Sequence, residues 1–174
     1  MKKTHVLLTT LIILTFVNCG SVSNYTNNTL NKNFYSSKTI YFTLNQKSKT
    51  TMDVKGGMPV LGGYKAPNVK EVFKESIQEL ANETKLDLKF IESSENISVK
   101  DIILVDAEIL EINWTFGLSV ATLKTNIDYN LVNDAKIIKT EGIRKSGGGS
   151  ESNNLRKSLK NATYKFLQEF EKNN

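Results

Sequence analysis

The hydrophobic residues of this chain fall into short alternating runs and two longer runs with helical spacing. Alternation with a period of two predicts strands, because successive side chains of a strand point to opposite faces of a sheet. The first such run is Lys38–Leu44, in which Ile40, Phe42 and Leu44 share one face. The other predicted strands are 86–90, 102–116, 121–131 and 136–144. The last of these has little apolar content on one face, which is typical of a strand near a sheet edge.

The predicted strand 102–116 changes the parity of its apolar positions halfway along. Its apolar residues hold odd positions as far as Ile109 and even positions from Leu110 onwards. A strand cannot bury both sets on one side of a sheet unless it contains an extra residue. The pattern therefore predicts a β-bulge near Ile109 and Leu110. Trp114 and Phe116, beyond the bulge, are predicted to be core residues rather than a platform for a ligand.

Two segments place apolar residues at helical spacing. The first begins at Asn68, which can cap the helix, and Glu71 stands three residues later as in a capping box. The second runs from about Asn154 to Glu171, after the glycine break Gly147–Gly149, which we interpret as a hinge. The order β-α-β-β-β-β-α favours an α+β fold. We expect a mostly antiparallel sheet of about five strands with two amphipathic helices packed on one face.

The N-terminus carries a segment that predicts the compartment. Lys2 and Lys3 precede an apolar run, Val6–Val17, which is far shorter than the roughly 20 residues of a membrane-spanning helix. Cys19 follows at once. This layout resembles a bacterial lipoprotein signal, in which the cysteine becomes the first mature residue and is acylated. We therefore expect a signal peptide at 1–18, an acylated Cys19 with a flexible tether over 19–37, and one domain over 38–174.

Removal of the signal peptide changes the composition in a way that limits the chemistry. The net charge falls from +5 to +3, since Lys2 and Lys3 leave, and His5 leaves with them. The mature chain then has no histidine, and its one cysteine, Cys19, is the lipid attachment point. These absences exclude Ser-His-Asp and Cys-His nucleophilic sites and histidine-based zinc sites. We expect a protein that is not an enzyme and that has no cofactor, metal site or catalytic residues.

The remaining charge is unevenly distributed. Residues 20–70 hold seven lysines and one acid, a balance of +6, whereas residues 71–174 have a balance of −3. A basic segment close to a lipid anchor is favoured beside an anionic membrane surface. Only two arginines, Arg144 and Arg156, are present, so nucleic-acid binding is disfavoured. Asp106, Glu108 and Glu111 on one strand are interpreted as a solvated face rather than a hydrolytic or cation site.

A glycine-rich loop is the most distinctive feature of the body of the chain. Two Gly-Gly pairs flank apolar residues just before the first long helix, but the spacing matches neither GxxxxGK[ST] nor GxGxxG. Nucleotide binding is therefore the least favoured role, and a plain flexible connection or contact with a partner remain open. The candidate partner-binding residues are Gly56, Gly57, Met58, Val60, Leu61, Gly62, Gly63 and Tyr64.

The layout across residues 37–171 resembles small bacterial envelope lipoproteins of the YajG and ABC-transport auxiliary type. The segment Ala121–Lys145 resembles the paired late strands of such proteins. The resemblance implies a non-enzymatic periplasmic role in envelope transport or assembly. Our leading hypothesis is a lipid-anchored adaptor at the outer membrane that faces the periplasm. It would contact an envelope protein or a lipidic ligand through the glycine loop and an exposed sheet edge; the alternative is a surface-displayed lipoprotein that binds an external ligand.

Overall fold

Three helices and six strands form the part of the chain that the computed structural model describes, residues 24–56, 66–93 and 102–173. The helices are α1 (Lys32–Tyr35), α2 (Val69–Thr84) and α3 (Glu151–Lys172). The strands are β1 (Thr39–Leu44), β2 (Asp53–Lys55), β3 (Leu88–Phe90), β4 (Ile102–Phe116), β5 (Ala121–Leu131) and β6 (Lys136–Ser146). The α+β class and the two long helices are as predicted. The one-turn helix α1 is additional, and the short strand β2 lies in the segment between the first predicted strand and the first predicted helix.

The strands form one mixed sheet in the order β3-β1-β4-β5-β6, and β2 pairs with the second half of β4. The two long ladders, β4 with β5 and β5 with β6, are antiparallel, as predicted for most of the sheet. The short ladders of β1 with β3, β1 with β4 and β2 with β4 are parallel. Strand β6 lies at an edge of the sheet, which confirms its predicted position.

The predicted bulge is present in β4. The pairing with β5 shifts between Ile109 and Glu111, which makes Leu110 the extra residue. Ile109 and Ile112 are both buried on the core side, whereas 44% of Leu110 is exposed. The prediction that Leu110 joins the apolar face beyond the bulge is therefore wrong, because the extra residue itself points away from that face. Trp114 is buried and packs beside Phe116 in the core, as predicted.

Both long helices begin after a residue whose side chain caps the first turn. The Asn68 side chain accepts a hydrogen bond from the Glu71 backbone N–H at 3.3 Å, which confirms the predicted cap. Helix α3 begins at Glu151, three residues before the predicted start, because Ser150 caps it by accepting from the Asn153 N–H. Each helix buries one apolar face, and together with the sheet they form a single core.

Helix α3 lies especially close to the sheet. A Cβ added at Gly142 of β6 would collide with the Ser158 carbonyl oxygen of α3. Close to this point, the hydroxyls of Thr125 and Ser158 are 3.1 Å apart, and those of Tyr129 and Thr163 are 2.9 Å apart. Within each pair the two buried hydroxyls form a hydrogen bond. All four hydroxyls therefore have a partner, although α3 lies very close to the sheet.

Residues 24–37, which we name the N-terminal strap, pack against the domain. Tyr25, Leu30 and Tyr35 are all buried in the core cluster. The prediction of a flexible tether is therefore wrong for the strap, because these three side chains are buried and remove apolar surface from water. The Tyr25 ring stacks on Tyr164 of α3, and the Tyr35 hydroxyl donates to the Leu167 carbonyl of the same helix. The predicted signal peptide, Cys19 and the remainder of the predicted tether lie outside the described residues. Among the residues that are described, no helix has the length and apolar character needed to cross a bilayer.

Candidate partner-binding surface

Most of the predicted glycine-loop site lies outside the described residues. Of its eight residues the structure describes only Gly56, which ends the short strand β2 with a φ of +110°. A Cβ at this position would lie 2.5 Å from the Phe116 carbonyl oxygen. Glycine is thus required here by a backbone conformation and by the close approach of β4. Gly57, Met58, Val60, Leu61, Gly62, Gly63 and Tyr64 are not part of the described structure.

The sheet presents a second, largely polar surface on the side opposite the helices, which we name the open face. It consists of the side chains of β4, β5 and β6 whose parity is opposite to that of the core residues. The cross-strand register places these residues in rows across the three strands. Its central members are Asp106, Glu108, Leu110, Glu111, Asn113, Lys124, Asn126, Asp128, Asn130, Ile137, Lys139, Glu141 and Ile143.

Charged residues of the open face are paired across strands. Lys139 lies 2.8 Å from the Asp128 carboxylate, and Lys124 lies 3.2 Å from that of Glu141. The Glu111 carboxylate accepts a hydrogen bond from the Asn126 side chain at 2.9 Å. Exposed pairs of this kind contribute only about 0–1 kcal/mol each to stability. Their main effect is to arrange both signs of charge over a flat surface.

Two exposed apolar side chains interrupt this polar surface. Leu110, turned outward by the bulge, is 44% exposed, and Ile137 is 54% exposed. Leu110 lies in a shallow cleft of about 370 Å³ that Asn126, Asp128, Lys139 and Glu141 also line. Bulges commonly redirect a side chain towards a functional surface. The bulge therefore places an apolar anchor among paired charges.

Asp106 has a structural role at one end of the open face. Its carboxylate accepts hydrogen bonds from the Thr43 hydroxyl at 2.8 Å and the Asn45 side-chain amide at 2.5 Å. These bonds connect β4 to the end of β1 and to the residue after it. Within the described ranges, no group of three His, Cys, Asp or Glu residues is arranged to hold a metal ion.

The edge strand β6 is covered in its middle by side chains of α3. The Ile143 backbone N–H donates to the Asn161 side chain at 2.9 Å, and the Lys165 ammonium donates to the Glu141 carbonyl at 2.7 Å. These are backbone groups that an added strand would need. Partner contact at this sheet edge through an added strand is thus opposed at these two positions, since α3 already occupies the hydrogen-bonding groups.

A buried ionic network, which was not predicted from the sequence, joins α2 to α3. Lys160 is fully buried, and its ammonium lies 2.6 Å from the Glu79 carboxylate and 2.7 Å from that of Glu83. Arg156 also lies 3.0 Å from Glu79. The sequence holds a signal for this network, because Glu79 and Glu83 are four residues apart on one face of α2. Lys160 and Arg156 have the same spacing on α3.

The first residues of the strap cover this network. The Tyr25 backbone N–H donates to the Glu83 carboxylate at 2.9 Å, and the Tyr25 ring lies 5.7 Å from the Lys160 ammonium. Burial raises the pKa of Tyr25, and a hydrogen bond from the Asn161 amide opposes that rise. The strap therefore completes the shielding of a buried cation.

Comparison with known proteins adds little about the role of this surface. No protein-family model matches the chain, and no curated protein sequence is similar to it. Solved structures of distantly similar shape include a PelC dodecamer from Paraburkholderia phytofirmans, with 8% identity and a TM-score of 0.37 over 75% of this chain and 86% of that one. The hypothetical protein CT253 from Chlamydia trachomatis has 14% identity and a TM-score of 0.34 over 78% and 94%. These similarities are too weak to carry a functional argument.

Proposed function

We propose that this protein is a lipid-anchored, non-enzymatic binding domain of the bacterial cell envelope, held at the outer membrane and facing the periplasm. Its partner is another envelope protein, which binds the open face of the sheet around Leu110. The observation that carries the choice of surface is the bulge in β4, which exposes Leu110 within a cleft among paired charges. An apolar anchor surrounded by polar groups is the usual composition of a protein–protein contact.

The charge of the open face favours a protein over an anionic partner. Across β4, β5 and β6 it carries five carboxylates and three lysines. These are Asp106, Glu108, Glu111, Asp128 and Glu141 against Lys124, Lys139 and Lys145. Nucleic acids and anionic membranes attract surfaces that are rich in positive charge. A protein with an apolar socket and a mixed-charge rim complements this face better.

The lipid anchor is tested by changing Cys19 to Ala and fractionating cells. We expect the wild-type protein in the membrane fraction, labelled by a palmitate analogue, and the variant without the label. Three acyl chains would bind far more strongly than one reversible anchor. If the Cys19→Ala variant sedimented with membranes as the wild type does, the anchor would be excluded. Protease treatment of intact cells then tests the orientation, because digestion from outside would support a surface-displayed protein that binds an external ligand.

The open face is tested by photocrosslinking in cells. A photoreactive amino acid at Leu110 should yield a discrete protein adduct. The same group at Leu118, which is fully exposed in the turn after β4 and outside the open face, serves as the control. A photoreactive amino acid at Ile137 should form the same adduct. Adding the substitution Leu110→Asp to that protein should abolish it. Equal products from Leu110 and Leu118, or a lipid adduct at Leu110, would contradict a protein partner at this face.

A further inference from the structure

The strap is fixed along α3 by several independent contacts. The Tyr25 ring stacks on Tyr164 with the ring centres 4.0 Å apart, and the Asn161 amide donates to the Tyr25 hydroxyl at 2.7 Å. Further on, the Asn31 backbone N–H donates to Glu171 at 3.0 Å, and the Tyr35 hydroxyl donates to the Leu167 carbonyl at 2.6 Å. The strap therefore does not act as a free linker, even though its composition is that of one.

The first part of the strap docks on the side of α3 that faces away from the sheet. Ser158 and Thr163 bond strand β5 and so mark the sheet side of the helix. Tyr164 and Glu171 both accept hydrogen bonds from backbone N–H groups of the strap. They lie on nearly the same side of α3, because seven residues make about two helical turns. Tyr164 and Glu171 project about 80° to 140° away from Ser158 and Thr163 around the helix axis. Tyr25 thus docks on the helical layer of the domain, whereas the open face lies on the opposite side of the sheet.

The docking of Tyr25 sets a short limit on the distance to the lipid. Asn24, the first described residue, stands five positions after Cys19. Five residues span at most about 18 Å when fully extended. An undocked linker as far as Ser37 would have eighteen residues and a root-mean-square length of about 24 Å, with no preferred direction.

We propose that the docked strap orients the domain on the membrane, with the α2–α3 layer towards the bilayer and the open face of the sheet away from it. This proposal rests on the proposed lipid attachment at Cys19. In this orientation the helical layer is the surface that faces the membrane, and the lipid surface is its binding partner. The orientation also explains how a short attachment leaves the Leu110 surface accessible to a second protein.

The orientation can be measured without relying on acylation in cells. Residues 19–174 contain one cysteine, so a maleimide lipid couples only at Cys19. The protein is coupled to phosphatidylcholine vesicles that contain an acceptor dye at the headgroups. A fluorescent amino acid is placed either at Gln78, exposed on α2, or at Lys139, exposed on the open face. We expect more energy transfer from position 78 than from position 139.

Two variants test whether the strap causes this difference. Insertion of about 14 Gly and Ser residues between Ser23 and Asn24 leaves the strap docked but lengthens the attachment, and should abolish the difference. Tyr25→Ala should abolish it by releasing the start of the strap, while Tyr25→Phe, which retains the ring stack, should preserve it. Circular dichroism and the melting temperature show whether each variant is folded.

Two results would overturn the orientation. One is equal transfer from positions 78 and 139 in the otherwise unchanged protein, and the other is a difference that survives the long insertion. Failure of the proposed function gives a separate result, because an unacylated Cys19 in cells would leave the vesicle measurement unaffected. The insertion variant keeps the test decisive even where Tyr25→Ala fails to fold.

Discussion

Lys160 shows how a single residue can depend on several others. Its ammonium is fully buried and is held between Glu79 and Glu83 of the facing helix. Burial of a charge is costly unless partners replace its hydration, and removal of one member leaves the others without compensation. The ring of Tyr25 then closes the site from the solvent side. The helix pair and the strap are thus coupled through one side chain.

Replacement of Lys160 by Met should destabilise the domain strongly. We expect a loss of about 3 kcal/mol in the free energy of unfolding, because Glu83 would lose its buried cation while Glu79 keeps Arg156 and some solvent contact. Urea denaturation measures the loss. Lys172→Met is the matched control on the same helix, since that side chain is exposed and forms a surface ion pair with Glu169. Equal midpoints for the two variants would show that the buried network does not stabilise the fold.

Gly142 should be irreplaceable for a steric reason. An alanine Cβ would collide with the Ser158 carbonyl oxygen and lie 2.7 Å from the Thr125 hydroxyl, so that α3 would have to move away from β6. Overpacking of this kind costs about 1–3 kcal/mol. Gly148→Ala, where a Cβ meets nothing within 4 Å, should change the unfolding free energy by less than about 0.5 kcal/mol. The contrast is measured by thermal or urea unfolding, and a stable Gly142→Ala protein would contradict it.

At the scale of elements, β6 and α3 protect each other. Helix α3 packs on β6 and also supplies Asn161 and Lys165 to two backbone groups of its outer edge. Edge strands that keep free hydrogen-bonding groups tend to pair with other chains. The protection is local, since it covers the middle of the strand. The two side chains therefore matter for solubility as well as for stability.

A double variant, Asn161→Ala with Lys165→Ala, should expose this edge. We expect concentration-dependent self-association in sedimentation velocity, because Ile143 N–H and the Glu141 carbonyl become available to another strand. Lys172→Ala removes a lysine from the same helix without touching β6 and should remain unassociated at the same concentrations. A double variant that stays monomeric would show that the edge is protected by other means.

Local chemistry made several elements predictable from the sequence. The cap at Asn68 depends on residues three positions apart, and the bulge near Leu110 follows from the parity of one strand. The strap was not predictable in this way. Tyr25, Leu30 and Tyr35 are spaced five apart among polar residues and follow neither a helical nor a strand period. Their burial depends on tertiary docking against distant residues, as do the parallel pairings of β1, which no local pattern encodes.

The whole molecule should lose stability at alkaline pH. Burial raises the pKa values of Tyr129 and Tyr35 above the ordinary 10.0, and also that of Tyr25. The unfolded chain therefore ionises these groups at a lower pH than the folded chain does. Below pH 10, these tyrosines should not change the free energy of unfolding. Above pH 10, they should lower it by up to about 1.4 kcal/mol per pH unit for each tyrosine.

Urea unfolding between pH 8 and pH 11, on the order of three pH units, measures this dependence. Tyr129→Phe serves as the comparison, because the Thr163 hydroxyl that it leaves still donates to the Leu159 carbonyl at 3.0 Å. The slope above pH 10 should be shallower in this variant. A slope that is identical in both proteins would show that Tyr129 does not contribute to the alkaline transition.

The contacts of the strap also determine when folding can be completed. Its hydrogen bonds to Tyr164, Leu167 and Glu171 join residues that are 132 to 140 positions apart in the chain. Such contacts close a very long loop, whereas the β4–β5–β6 meander and α3 form from neighbouring segments. We therefore expect the strap to dock last, a hypothesis that pulse-labelled hydrogen exchange would refute if the Tyr25 amide were protected before those of β5. With the lipid attachment that we propose at Cys19, the anchor would then be attached well before the domain acquires a fixed direction. The last helix to be synthesised would set its final orientation.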